Sequence, residues 1–64
     1  MICTTRMIMN TDGEKFEDEV SAAINLLING KGELEYTLDV QYSTIIDPQF
    51  IYFTALINLY EEED

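Results

Sequence analysis

The groups in this chain with chemistry to offer are thirteen carboxylates, three cationic side chains (Arg6, Lys15 and Lys31) and one thiol, Cys3; none of the 64 residues is histidine. General acid–base and nucleophilic catalysis need a base of matched pKa beside a hydroxyl or thiol, and without imidazole only carboxylates and the two lysines remain. Glu35 and Asp39, four apart in an alternating segment, share one strand face and form the kind of carboxylate pair that glycosidic chemistry uses. A chain this short has no evident cleft to close around them. Metal chemistry fares no better. One Cys and no His cannot build a closed zinc set, and the segment around Asp12 and Gly13 lacks the spacing of a calcium loop. Met1, Met7 and Met9 with Cys3 are soft donors, but core packing is their simpler use. The expectation is a protein without enzymatic activity, cofactor or metal.

Charge carries more information. A net charge of −10 and a pI near 4.1 disfavour nucleic acid and anionic membrane as direct partners, since both require a basic footprint. A protein with a basic surface is the complementary partner, although solubility alone also accounts for such a charge. A hydrophobic content of 47% in well-patterned segments argues against disorder. The N-terminal segment lacks the basic stretch and apolar run of a secretory signal, and one cysteine forms no intramolecular disulfide. The longest strongly apolar run, Phe50 to Ile57, falls far short of the ~18 residues of a membrane span. A cytoplasmic location without membrane contact is expected.

Glycine, proline and asparagine divide the chain, read as a single domain over residues 1–64, into four pieces. Ile2 to Met9 reads as a strand from its β-branched residues and methionines. A helix follows, started either by Thr11 with Glu14 as a capping box or by Asp12 one residue later. Phe16, Val20, Ala23, Ile24 and Leu27 fall on one face of a 3.6-residue period, with Glu17, Asp18, Ser21 and Asn25 opposite. Asn29-Gly30-Lys31 ends it with a left-handed cap and a cation. From Glu33 to Ser43 the period becomes two, with Leu34, Tyr36, Leu38, Val40 and Tyr42 on one side. Asp47-Pro48 marks a turn, and Gln49 to Tyr60 is apolar on both faces; a helix is the alternative for this stretch, but its β-branched and aromatic residues, the absence of a cap and the preceding turn favour a strand, placed centrally.

The predicted fold is α+β: a β-α-β-β chain with a three-stranded antiparallel sheet in order 1-3-2. One helix packs on one face, against the even side of the second strand and the odd side of the third. The opposite face then presents Glu33, Glu35, Thr37, Asp39 and Gln41 beside Phe50, Tyr52, Leu56 and Tyr60. An aromatic stripe bordered by carboxylates is not a surface that soluble monomers ordinarily leave to water. Glu33, Glu35, Asp39, Tyr52, Leu56 and Tyr60 are therefore the expected partner-binding residues. The same face, or a free sheet edge, also suits a homodimer. The acidic end, Glu61 to Asp64, reads as a solvated, frayed tail.

Asp39-Val40-Gln41-Tyr42-Ser43-Thr44, followed by Phe53-Thr54-Ala55-Leu56-Ile57 and Tyr60, resembles the D-I-x-Y-S-T … Y-S-A-L-I-x-Y ending of a family of small sporulation-associated proteins. Members occur in spore-forming bacteria and in phages and prophages of related hosts. The upstream strand and the helix with Phe16-Glu17-Asp18-Glu19-Val20 extend the resemblance over most of the chain. It implies a small cytosolic α+β protein without established chemistry, and no functional residue carries over. Additional N-terminal residues and the acidic balance set this chain apart from sporulation members and toward phage ones. The expected function is that of a phage-encoded, non-enzymatic protein that binds and modulates or inhibits a host protein with a basic surface. Nucleic-acid mimicry against a nuclease or defence complex is its most specific form. The alternative is a homodimeric structural or assembly protein of sporulation or phage biology.

Overall fold

The computed structural model of the chain describes residues 2–32 and 34–62. Four elements follow one another: β1 (Ile2–Asn10), α1 (Gly13–Ile28), β2 (Tyr36–Ile46) and β3 (Ile51–Glu61). The sheet order is β1-β3-β2, and both outer strands pair antiparallel to β3. β1 and β2 thus run parallel on either side of β3, which makes the first three elements a split βαβ unit.

Asp12 settles the start of α1. Its Oδ1 accepts from the backbone N–H groups of Glu14 at 3.0 Å and Lys15 at 3.1 Å, which satisfies two of the donors a helix leaves unpaired at its first turn. Asn10 Oδ1 in turn accepts from the Asp12 N–H at 2.9 Å, and Asn10 Nδ2 donates to Glu19 Oε1 at 2.6 Å, tying the end of β1 to the helix. Asp12→Ala is expected to cost about 1 kcal/mol, measurable as a lower urea midpoint with unchanged slope. A Thr11→Ala midpoint lowered as far as that of Asp12→Ala would return the cap to Thr11. At the other end Gly30 takes φ +77, a left-handed conformation that costs glycine nothing, and the Lys31 N–H donates to the Ile28 carbonyl at 3.0 Å.

The helix face read from periodicity is the face that is buried. Phe16, Val20, Ala55 and Ile57 form the core, with Ile8, Ala23, Ile24, Leu27, Leu38, Val40 and Phe53 packed around it. Pairing explains this set: Ile8 lies beside Ala55 and Val40 beside Ile57, so even residues of β1 and β2 join odd residues of β3 beneath the helix. The lateral position of α1 differs from expectation. It lies chiefly over β1 and β3 rather than over β2 and β3, because the short link from Asn10 to Gly13 holds its first turn against the end of β1. The helix-side residues of β2 are consequently only half covered.

Three boundaries also move. β2 starts at Tyr36, not Glu33, and continues to Ile46, past Ser43. Phe50 precedes β3, in a turn in which the Asp47 N–H donates to the Phe50 carbonyl at 2.8 Å. Glu61, read as the first residue of a frayed tail, instead closes β3 and pairs with Lys31 Nζ at 3.4 Å. The β2–β3 hairpin runs past the last β1 pairing, Asn10 with Phe53, so its tip is two-stranded. The molecule is accordingly long and thin, 48 × 18 × 12 Å, with a radius of gyration of 13.6 Å against ~11 Å for a compact chain of this length.

Candidate interaction surface

The sheet face away from α1 is open, and the register sets its side chains in rows. From one end they are Cys3–Tyr60–Thr37, Thr5–Asn58–Asp39, Met7–Leu56–Gln41 and Met9–Thr54–Ser43, then Tyr52–Ile45 where β1 has ended. Of the predicted partner-binding residues, Asp39, Tyr52, Leu56 and Tyr60 stand on this face. Glu35 does not. It occupies the turn before β2, where its N–H donates to the Gly32 carbonyl at 3.0 Å and its Oε2 accepts from the Gly32 N–H at 3.2 Å. Glu33 lies outside the described residues. Among the described residues, then, Asp39 is the one carboxylate carried by the strand rows of the open face, with Glu35 and Glu62 beside Thr37 and Tyr60 at its end.

Two kinds of row alternate here. Thr5 Oγ1 donates to Asn58 Oδ1 at 2.8 Å and Gln41 Nε2 to Asp39 Oδ2 at 3.4 Å, which makes a polar band. Thr54 is buried on its strand, and its Oγ1 donates to the Ser43 carbonyl at 3.1 Å. Around these bonds, exposed Met7, Met9 and Ile45 join Leu56 and Tyr52 in an apolar band, and the Phe50 ring stacks obliquely 6.1 Å from Tyr52. Met7, Met9 and Ile45 were missed as surface candidates, although placing Ile8 in the core already puts its odd-numbered neighbours on the other side.

A second concavity lies on the helix side, where α1 leaves β2 uncovered. Gly13, Glu14, Phe16, Glu17, Tyr42 and Phe53 line it. Its floor is aromatic: Phe16 meets Tyr42 edge-on with ring centres 6.4 Å apart and Phe53 at 5.9 Å. Glu14 and Glu17 stand on its rim and are exposed. No group of three or more metal-ligating side chains is gathered among the described residues, and no described helix is long and apolar enough to cross a membrane. Comparison with family models finds no match, and comparisons with curated proteins and with solved structures find no significant match.

Electrostatically the molecule is one-sided. Lys31–Glu61 is the one ion pair among the described residues. Asp12, Glu14, Glu17, Asp18, Glu19, Glu35, Asp47 and Glu62 are all exposed. Their mutual repulsion opposes folding and is screened by salt. Sodium chloride is therefore expected to raise the melting temperature, followed by circular dichroism; a flat or falling response contradicts a self-repelling folded state.

Proposed function

We propose that this is a non-enzymatic interaction protein, phage-encoded in origin, that binds and modulates or inhibits a host protein with a basic surface. The observation that carries this reading is the carboxylate distribution. Thirteen acids surround three cations, and a single ion pair neutralises one of them among the described residues. Such a field attracts basic proteins, accelerates their association and loses strength with ionic strength. Orientation on the partner comes from the open face, where Tyr52, Leu56, Tyr60 and Asp39 combine aromatic area with an anchoring charge. A basic groove that ordinarily holds phosphates and bases is the most specific target of this kind. The resemblance to small phage and sporulation-associated proteins supports the phage origin.

The test is affinity capture from host lysate with a salt-gradient elution, repeated with the double variant Tyr52→Ala/Asp39→Lys and with Leu26→Glu on the exposed back of α1. The expected result is one stoichiometric basic protein, released by salt, lost with the double variant and kept with Leu26→Glu. Capture that both variants retain removes the open face from the reading. Capture of no basic protein removes the reading itself.

The alternative, a homodimeric structural or assembly protein, is favoured by a separate observation. The chain exposes 4926 Å², whereas a compact monomer of its mass exposes ~4,200 Å².

A further inference from the structure

Two features of the fold are unsatisfied in a single copy. The first is area: the 4926 Å² of exposed surface exceeds the compact-monomer value by ~700 Å², close to the ~800 Å² that each partner buries in a standard interface. The second is an edge. β2 pairs with β3 on one side only, and its 11 residues run in unbroken register without a bulge, proline or lysine to blunt the other side. The opposite edge of the sheet, β1, carries Arg6 midway along its length.

We propose that β2 pairs antiparallel with β2 of a second copy about a two-fold axis through Gln41, giving one six-stranded sheet. Centring on Gln41 is the register that uses all of Tyr36–Ile46. It sets Tyr42 opposite Val40, Thr44 opposite Leu38 and Ile46 opposite Tyr36 on the helix side. Tyr42 and Ile46, 66% and 79% exposed in one copy, thereby gain apolar neighbours.

Charge is the obvious objection to joining two chains of −10, and its distribution answers it. Of the thirteen acids only Asp39 lies on β2; Glu35 and Asp47, just outside its two ends, come opposite one another across the axis at exposed positions where salt screens their repulsion. In this register Asp39 faces Ser43 of the other copy, and the two Asp39 residues are offset by four positions, ~14 Å along the strand and beyond the ~8 Å screening length at physiological salt. The two remaining sheet edges are then both β1, each guarded by Arg6.

The experiment uses the full chain with Cys3→Ser, analysed by sedimentation velocity and by non-reducing electrophoresis after mild oxidation. A dimer is expected. Gln41→Cys is expected to cross-link nearly completely, because residues facing across an antiparallel two-fold lie ~4.5–5.5 Å apart at Cα, within disulfide range. Leu56→Cys, on the open face, is expected to remain uncrosslinked. Thr44→Lys, at an exposed position of β2 that faces Leu38 of the other copy, is expected to weaken the dimer by about tenfold or more with an unchanged circular dichroism spectrum.

Salt separates this proposal from the basic-partner reading, on which it does not rest. Added salt tightens a dimer of like-charged chains and releases a basic partner. A monomer at every concentration overturns the proposal. So does a dimer that salt dissociates, or one that Leu56→Cys traps and Gln41→Cys does not. The basic-partner reading survives each of these results and stands or falls on the captured protein.

Discussion

Ile57→Ala is expected to leave the protein largely unfolded at 37 °C. Ile57 is fully buried at the centre of β3, flanked by Arg6 and Val40 on the neighbouring strands and packed in the core beneath α1. Truncating such a side chain removes its transfer free energy and leaves a cavity, a loss of about 2–5 kcal/mol. A domain of this length has a total stability of ~3–10 kcal/mol, so the change consumes a large share of it. Urea titration followed by circular dichroism measures the loss, and Ile57→Val, at about 0.5–1.5 kcal/mol, gives the graded control. An alanine variant no less stable than the valine one contradicts the placement of Ile57 in a close-packed core.

Phe16→Ala follows with an expected cost of about 3–5 kcal/mol. Phe16 and Val20 are the two buried residues of α1, and Phe16 alone reaches both the Tyr42 and the Phe53 ring. Its loss releases the first turn of the helix from the sheet and exposes the apolar side of β3, so helix and sheet signals should decay together in one transition. Phe16→Leu, which keeps an apolar side chain larger than alanine's but not the ring contacts, should cost clearly less. A variant that loses helical signal while the sheet persists would show that the hairpin is stable without its cover.

Much of this architecture is legible in the residues. The helix period, the two-faced apolar character of β3 and the turn at Asp47-Pro48 together force β3 to the centre, and order 1-3-2 follows. The start of β2 is not legible, because Glu33 and Glu35 continue the alternation of the strand while Glu35 in fact folds back onto Gly32. A turn closed by its own side chain leaves no mark on hydrophobic periodicity. Nor does the pattern fix the lateral position of α1. Periodicity reports which side of a helix is apolar, whereas the strands beneath it depend on the three-residue passage from Asn10 through Asp12, held by the Asn10 and Asp12 side chains. The candidate surface differs in two places: Glu35 leaves its strand rows with that turn, and Met7 and Met9 enter it by the alternation that puts Ile8 beneath the helix.

The place of β3 in the chain has a consequence for the order of folding. Every ladder in the sheet includes β3, yet both of its partners precede it. The hairpin with β2 closes across the short turn after Ile46 and zips from Ile51 onward, an event of microseconds. Joining β1, from Asn10 beside Phe53 to Ile2 beside Glu61, means closing a loop that spans most of the chain, and that search is slow because its entropy is spent before any contact rewards it. β1 is thus the last strand to arrive and the first to leave. Contacts around Ile8 govern how long the native state lasts, and contacts between β2 and β3 govern how fast it is reached.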